Sequence, residues 1–292
     1  MLTETAHAKV NLALHVRRRR EDGYHDLESL FVFVDTGDTL RARSRDDGAL
    51  MLSIDGPFAA GLDNGPENLV LRAAACLASS VRPPTSVENA DGARARPGAD
   101  LCLTKNLPIA SGIGGGSADA AAALRLLNRL WDCQLPDSAL CAMAENLGSD
   151  IPACVVSRTL RVEGRGEALE PLDLPGISGA AILLVNPGIP LGTAPVFKGW
   201  DRVDRGALDS SSLDAIIHDG RNDLEASARG LVPQIGVVLD RLADIPGITL
   251  SRMSGSGATC FGLFESMQAC RAAEAVIAAE QPGWWTMSGS LR

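Results

Sequence analysis

Aromatic side chains and positive charge are both scarce in this sequence. Phe, Trp and Tyr make up 4% of the residues, and Tyr24 is the only tyrosine. Asp and Glu outnumber Lys and Arg by 36 to 27, which gives a formal net charge of −9 at pH 7. A protein that binds nucleic acid through its overall charge would show the opposite balance. We therefore expect no nucleic-acid partner, although local dipoles and a few cations could still hold a small anionic ligand.

Long apolar runs and paired cysteines are also absent from the sequence. No run reaches the length of a membrane span, and the first nine residues lack the basic and then apolar pattern of a secretory signal. The seven cysteines, an odd number, include no Cys-x-x-Cys pair. Scattered cysteines in apolar patterns are typical of small buried hydrophobes in a reducing compartment. We expect a cytoplasmic protein without a membrane anchor, monomeric or weakly homodimeric.

The periodicity of apolar residues predicts a mixture of strands and helices rather than regular βαβ repetition, and so an α+β fold. Strands are predicted at residues 8–16, 27–34, 39–44, 50–54, 101–105, 181–185, 248–252 and 259–264. Helices are predicted at residues 68–79, 117–131, 137–148, 223–229, 234–243 and 267–280, with Asp137 as an N-cap. Residues 81–99 contain three prolines and are predicted to form a surface loop.

A cluster of glycines is the strongest local signal. Four glycines occupy positions 112, 114, 115 and 116, directly before a run of helix formers that Ser117 opens. Glycines let backbone N–H groups turn toward one point, and a helix N-terminus adds a positive dipole end, so the segment predicts a phosphate site. Ser117 offers a hydroxyl to phosphate or to phosphate-bound Mg²⁺. The alternative is a flexible turn before a helix, but four glycines in a mere connector would be costly in entropy.

The glycine segment does not fit the two commonest nucleotide motifs. No Gly-Lys-Ser/Thr follows, which excludes a Walker A loop, and the spacing does not match a Rossmann fingerprint. The pattern of residues 108–121, Pro-x-x-x-Gly-x-Gly-Gly-Gly-Ser-x-Asp-Ala-Ala, instead resembles the second motif of the GHMP kinases, which are galacto-, homoserine, mevalonate and phosphomevalonate kinases. Residues 6–12 and 253–259 resemble the first and third motifs. The departures are His7 in place of a usual proline and Ala118 in place of a frequent second serine.

The resemblance implies a two-domain GHMP kinase fold with the active site in the interdomain cleft. Residues 1–160 would form the N-terminal, ATP-binding domain and residues 161–292 the C-terminal domain, although no linker marks the boundary. Four further segments, 22–27, 148–152, 164–167 and 222–225, resemble one branch of the family. That branch phosphorylates an alcohol linked to cytidine diphosphate in the non-mevalonate route to isoprenoid precursors. The implied cofactors are ATP and Mg²⁺.

Two residues are expected to act on the reacting hydroxyl. Asp150 is the candidate general base, because it lies in a constrained turn before Pro152 and matches the family position. By resemblance, Lys9 contacts Asp150 and the hydroxyl, and a cation there would hold the aspartate ionised and offset developing negative charge. Taken alone, Asp150 could equally cap a turn and Lys9 could be a solvated strand lysine.

The remaining candidates bind ATP or substrate. Asn11 shares a strand face with Lys9 and is expected to hydrogen-bond the substrate. Tyr24 and His25 offer a ring face and ring nitrogens suited to a pyrimidine base. Thr193 would reach substrate or cap a helix. The implied ATP-binding residues are Asn68, Lys105, Pro108, Ile109, Ala110, Ser111, Gly112, Ile113, Gly114, Gly115, Gly116, Ser117 and Ala118.

Some assignments have open alternatives. Gly255 and Gly257 are expected to form a second glycine turn near the phosphates, or a plain β-turn. The arginines at 17–20 could attract a diphosphate, but a solvated turn is favoured. The rival functions are a GHMP kinase for mevalonate, homoserine or a sugar, a GHMP-fold sensor without catalysis, and a dinucleotide oxidoreductase.

Overall fold

The computed structural model describes residues 1–81 and 96–292, and these residues form ten strands and nine helices. The strands are β1 (Leu2–Arg19), β2 (His25–Arg45), β3 (Leu50–Asp55), β4 (Gly98–Thr104), β5 (Leu160–Gly164), β6 (Ala168–Pro171), β7 (Ala181–Asn186), β8 (Ile248–Met253), β9 (Cys260–Phe264) and β10 (Trp285–Ser290). The helices are α1 (Leu69–Ser80), α2 (Gly115–Leu130), α3 (Asp137–Ala144), α4 (Ile151–Val156), α5 (Thr193–Lys198), α6 (Leu213–His218), α7 (Glu225–Leu231), α8 (Gln234–Ala243) and α9 (Met267–Glu280). Strands and helices do not alternate regularly along the chain, and this irregular order is typical of an α+β fold.

The chain divides into two compact units, each assembled from three separate segments. The first unit comprises residues 1–7, 37–107 and 115–157, and the second comprises residues 8–36, 108–114 and 158–292. Strands β1 and β2 therefore contribute residues to both units. The predicted boundary at residue 160 divides the sequence into continuous domains, and it stays a prediction.

In the first unit, β4 lies between two other strands. It pairs in parallel with β3 and antiparallel with residues 39–45 of β2. Helix α1 packs against α2, and α4 packs against both α2 and α3. Helix α2 buries four consecutive alanines, residues 120–123, and small side chains of this kind allow neighbouring elements to approach closely. This packing fixes the helix that follows the glycine cluster.

In the second unit, four strands form an antiparallel sheet in the order β10-β7-β9-β8. Helices α8 and α9 pack against it, and all six residues of β7 are buried. Strand β5 pairs antiparallel with residues 27–31 of β2, and β6 pairs with β5. The apolar core of this unit includes Leu183, Val185, Leu239 and Ile277.

The strands predicted at 27–34 and 39–44 are one continuous strand, β2. Gly37 lies within this strand, and a Cβ atom there would lie 2.0 Å from the carbonyl oxygen of Ala6, so only glycine permits this approach of the neighbouring backbone.

Several other expectations about local structure are corrected. Helix α3 begins at Asp137 with Pro136 as its N-cap residue, and it ends at Ala144 rather than near Gly148. The elements β5, β6, β10, α4, α5 and α6 were not predicted, because none exceeds six residues and a segment this short does not show a clear period. Residues 82–95, most of the predicted loop, lie outside the described residues, and Gly98 and Ala99 belong to β4.

All seven cysteines are free thiols. Only Cys154, Cys260 and Cys270 are buried, and the other four are half-buried, so the expectation of buried cysteines holds for three of them. Among the described residues, no helix combines the length and the apolar character that crossing a bilayer would require.

Candidate active site

The glycine segment makes its sharpest turns at residues 110–114, in the second unit. Ala110, Gly112 and Gly114 have φ angles of 51°, 79° and 64°, in the left-handed region that favours glycine. A Cβ atom on Gly112 would lie 2.5 Å from the carbonyl oxygen of Ser254 and 2.7 Å from that of Gly257. Glycine is therefore required at 112 by both conformation and space.

Three motifs that lie far apart in the sequence meet at this loop. The N–H of Lys9, in the first motif, donates to the Ile113 carbonyl at 3.0 Å. The Ser254 hydroxyl, in the third motif, donates to the Gly112 carbonyl at 3.0 Å and accepts from the Asn11 N–H at 3.1 Å. Backbone pairing between Thr259 and Ser111 adds a further link. The loop is thus held on both sides by the first and third motifs.

Replacing Gly112 by alanine is expected to displace the loop and to raise the KM for ATP about tenfold or more, since the new methyl group meets two carbonyl oxygens and the backbone is strained at positive φ. Gly179→Ala is the matched control, because Gly179 has a φ of 84° and no atom within 4 Å of the added Cβ position. Steady-state kinetics of both variants check the expectation. Equal effects of the two substitutions on the KM for ATP would show that backbone strain alone, and not contact with the third motif, matters at Gly112.

Lys9 and Asn11, on the polar face of the strand, are buried and in contact with each other. The exposed fractions of Lys9 and Asn11 are 4% and 2%. Lys9 Nζ donates to Asn11 Oδ1 at 2.9 Å and lies 4.3 Å from the ring centroid of Phe31. Asn11 Nδ2 donates to Ser29 Oγ at 2.9 Å, which orients the amide oxygen toward the ammonium group. The alternative of a solvated strand lysine is therefore wrong. Ser29 and Phe31 were not predicted, since nothing in the β2 sequence marks them.

The helix after the loop begins two residues earlier than predicted. Helix α2 starts at Gly115, so Gly115 and Gly116 belong to its first turn and only residues 112 and 114 supply the glycine turn. Ser117 is half-buried in this first turn, and Ala118 is buried. The unpaired N–H groups and positive dipole end of α2 therefore lie directly after the loop along the chain.

The side chains of two predicted ATP-binding residues take part in structural contacts of the first unit. Asn68 is the N-cap of α1: its Oδ1 accepts from the Val70 N–H at 2.9 Å, and its Nδ2 donates to the Asp63 carbonyl. Lys105 Nζ forms ion pairs with Asp38 and with Asp119, the latter at 2.6 Å, and all three groups are buried. Their assignment to ATP stays a prediction.

The electrostatics of this buried cluster keep Lys105 charged. Burial alone would lower the pKa of the ammonium, but the carboxylates of Asp119 and Asp38 outweigh it and raise that pKa above its ordinary value. Burial raises the pKa of Asp119. A Cβ atom on Gly115 would lie 3.1 Å from Lys105 Nζ, so the cluster adjoins the first residue of α2. Asp38 and Asp119 were not predicted as partners of Lys105. The one available signal was Asp119, an acidic residue inside an alanine-rich helix.

Asp150 immediately precedes α4, in the first unit. It occupies the N-cap position with helical backbone angles, and its side chain makes no capping hydrogen bond. The roles of Asp150 as a base or as a turn-capping residue both stay predictions. The helix that was expected to end just before it, at Gly148, ends at Ala144.

Tyr24 and His25 lie at the end of the β1–β2 hairpin. Tyr24 is 60% exposed, and the guanidinium of Arg165 lies 5.4 Å from its ring centroid. The His25 ring is 5.0 Å from that of Phe197 and 5.6 Å, edge-on, from that of Trp200. Burial, with a smaller contribution from Arg19, lowers the pKa of His25, which favours the neutral ring, in which one nitrogen donates and the other accepts. Phe197 and Trp200 were not predicted to belong here.

The other predicted residues are placed as follows. Thr193 is the first residue of α5 rather than its N-cap, and its hydroxyl lies 3.0 Å from that of Ser256 in the third motif. Ser111 is buried, and its hydroxyl donates to the Pro108 carbonyl. Ile109 is 45% exposed. The arginines at 17, 18 and 20 are paired with nearby carboxylates, which agrees with a solvated turn better than with a diphosphate site.

Asn222 explains why residues 222–225 accompany the third motif. Its Nδ2 donates to the carbonyls of Met253 and Gly255, and its Oδ1 accepts from the Leu224 N–H. The side chain thereby holds residues 253–255, the start of the glycine turn in the third motif. The predicted site residues fall in both units: Asn68, Lys105, 115–118 and Asp150 in the first, and Lys9, Asn11, Tyr24, His25, 108–114 and Thr193 in the second.

Comparison with known proteins agrees with the arrangement of motifs. Residues 68–158 match the model of the GHMP kinase N-terminal domain, and residues 205–283 match that of the GHMP kinase C-terminal domain. A 4-diphosphocytidyl-2-C-methyl-D-erythritol kinase of Rhizorhabdus wittichii is 48% identical over 99% of this chain and 94% of its own length. A kinase of the same name from Sphingopyxis alaskensis is 47% identical over 100% and 99%.

Solved structures give the same result for the fold. A crystal structure of 4-(cytidine 5'-diphospho)-2C-methyl-D-erythritol kinase aligns with a TM-score of 0.79 and 32% identity, covering 99% of each chain. A homoserine kinase from Cytophaga hutchinsonii aligns with a TM-score of 0.69 over 98% of this chain and 95% of its own, but at 18% identity that likeness bears on the fold alone.

Proposed function

The chain belongs to the GHMP kinase family, and we propose that it transfers the γ-phosphate of ATP to the 2-hydroxyl of 4-diphosphocytidyl-2-C-methyl-D-erythritol, in the non-mevalonate route to isoprenoid precursors. One structural observation carries the proposal: Lys9 and Asn11 adjoin a glycine loop that the third motif also holds. Identity of 47–48% over the full chain to kinases named for this substrate supports it.

The glycine loop and the first turn of α2 would bind the phosphates of ATP through backbone N–H groups. Mg²⁺ bound to ATP is held mainly by phosphate oxygens and water, with one or two protein oxygens. The half-buried Ser117 hydroxyl, in the first turn of α2, fits that small donor set. When bound, the ion would neutralise charge on the β- and γ-phosphates.

The alcohol end of the reaction needs a proton acceptor and a positive charge. We assign Asp150 as the group that accepts the proton of the 2-hydroxyl while the bond between that oxygen and the γ-phosphorus forms. Lys9 would stabilise the negative charge that develops on the transferred group, and Asn11 orients its ammonium through the contact at 2.9 Å. The displaced group is ADP, so no further reactant is needed.

We assign binding of the cytidine base of the substrate to Tyr24 and His25, at the end of the β1–β2 hairpin. Tyr24 offers an exposed ring for stacking on the base, and neutral His25 offers one donor and one acceptor to the edge of the base. Phe197, in contact with the His25 ring, supplies a second apolar surface beside it. The seven free thiols agree with a cytoplasmic location, which is part of the proposal.

Replacing Tyr24 by leucine is expected to raise the KM for the cytidyl substrate about tenfold, because stacking on one base contributes roughly 1–3 kcal/mol. The KM for ATP should stay near its wild-type value. Tyr24→Phe is the control, since it keeps the ring and should keep most of the affinity. If Tyr24→Leu changed both KM values equally, the ring would have no specific role at the base.

The proposed substrate is tested by measuring ATP-dependent product formation with the cytidyl-methylerythritol substrate, mevalonate and homoserine. We expect turnover with the first only, at a kcat/KM at least about a hundredfold above the others, because the latter lack the base and diphosphate that supply binding free energy. Turnover of mevalonate or homoserine would assign a different substrate, and binding without turnover would favour a sensor.

A further inference from the structure

The ring of His25 is oriented by two other aromatic rings. It lies 5.0 Å from the Phe197 ring, at an interplanar angle of 38°, and 5.6 Å from the Trp200 ring, at an angle of 84°. Tilted and edge-on ring pairs at such distances are favourable beyond the area that they bury. Within residues 1–81 and 96–292, neither ring nitrogen of His25 has a hydrogen-bond partner. Contact with the two neighbouring rings therefore sets the direction in which these nitrogens point.

The two neighbouring rings differ in what they can touch. Phe197 is half-buried, so part of its ring is open to a ligand. Trp200 is 6% exposed and belongs to the apolar core of the second unit, together with Val196 and Ala228. A ligand has almost no access to the indole, and Trp200 can therefore act on ligand binding only through the residues that it contacts.

The turn at the end of α5 holds Trp200 in place. The Trp200 N–H donates to the Phe197 carbonyl at 3.2 Å. A Cβ atom on Gly199 would lie 2.2 Å from Ser227 Oγ, so α7 approaches this turn too closely for a larger residue. The same hydroxyl donates to the Val196 carbonyl at 2.8 Å, which ties α7 to α5. The indole is thus fixed from the core side, beneath a half-buried His25.

We propose that Trp200 is a positioning residue for the cytidine end of the substrate: its buried indole fixes the ring of His25, so that the nitrogens of that ring face the edge of the base. The inference rests on the proposed function, because it concerns the residue that we assigned to the base. A ring that is already fixed loses little freedom on binding, and preorganisation of this kind raises affinity without a new contact to the ligand. Trp200 therefore acts on the KM for the cytidyl substrate and not on the phosphoryl transfer.

Trp200→Leu keeps an apolar side chain in the core and removes the ring. We expect this variant to raise the KM for the cytidyl substrate about three- to tenfold, the contribution of an aromatic pair. The kcat and the KM for ATP should stay within about twofold of wild type, since neither depends on the orientation of His25. Trp200→Phe retains a ring and should restore most of the affinity. Trp284→Leu is the matched control, because Trp284 is partly buried against the same core and belongs to no predicted site.

A double-mutant cycle with His25→Ala distinguishes positioning from a general loss of packing. If Trp200 acts through His25, Trp200→Leu changes the KM for the cytidyl substrate by less than about twofold once His25 is alanine. Thermal unfolding of each variant checks that it folds. Should Trp200→Leu fail to fold, Trp200→Met takes its place in the cycle, since methionine adapts to irregular space in a core.

The proposal is overturned if Trp200→Leu leaves the KM for the cytidyl substrate unchanged or raises the KM for ATP equally. The same rise in Trp284→Leu, or an undiminished effect of Trp200→Leu in the His25→Ala background, would overturn it as well. These outcomes are distinct from a failure of the proposed function. Absence of turnover of the cytidyl substrate by the wild-type enzyme would contradict that function and this inference together, whereas additive effects in an active enzyme contradict the role of Trp200 alone.

Discussion

Replacing Asp150 by asparagine is expected to lower kcat by about 10²–10⁴-fold, the usual contribution of a general base. The amide cannot take the proton of the substrate hydroxyl, but it has nearly the same size as the carboxylate. The fold should tolerate the change, because the amide fills nearly the same space as the carboxylate and can still accept hydrogen bonds. Affinity for ATP, measured by titration, should stay within about twofold, since the residue acts on the alcohol and not on the nucleotide.

The matched control is Asp137→Asn. Asp137 is also an aspartate at the start of a helix, but it is exposed and belongs to no predicted site. The Asp137→Asn variant should turn over substrate at the wild-type rate. Wild-type turnover in Asp150→Asn would refute the assignment of the base.

Replacing Lys9 by methionine is expected to lower kcat by about 10²–10³-fold, with a smaller change in the affinity for ATP. Methionine keeps most of the apolar stem beside Phe31 and removes the ammonium that Asn11 orients. What is lost is a preorganised positive charge near the glycine loop, an interaction that grows as charge develops in the transition state.

Lys198→Met is the control for Lys9→Met. Lys198 is exposed in the last turn of α5, so the two variants lose the same charge at different places. Fixed-time assays of product formation at saturating ATP and substrate compare the two variants directly. If both variants kept wild-type kcat, the charge of Lys9 would have no part in the reaction.

Sequence patterns were sufficient where the chemistry is carried by backbone conformation and short spacing. The glycine cluster predicted a turn, and the structure gives positive φ angles at Gly112 and Gly114. The alternation around Lys9 and Asn11 placed them on one face, and they are in contact. Neither signal could reveal that Ser254 joins this loop to β1, because that contact depends on tertiary structure alone.

The errors have physical causes of the same kind. Two strands were predicted at 27–34 and 39–44, but residues 35–38 continue the strand, with Gly37 beside the Ala6 backbone. The partners of Lys105, Asp38 and Asp119, were not predicted, because they come from separate stretches of chain. Phe197 and Trp200 lie in and just after a six-residue helix whose period is too short to detect, and their contact with His25 is long-range. Local periodicity carries no information on such pairings.

Phosphorus NMR of the product formed from ATP and 4-diphosphocytidyl-2-C-methyl-D-erythritol tests the proposed reaction most directly. The 2-carbon carries a methyl group and no hydrogen, so a phosphate on the 2-hydroxyl has no proton three bonds away. We predict one new phosphomonoester resonance that is a singlet in the proton-coupled spectrum, and that after the same short reaction time it is at least about a hundredfold weaker when Asp150 is replaced by asparagine. A doublet or triplet would place the phosphate on a secondary or primary hydroxyl, and no new resonance would contradict the kinase assignment itself.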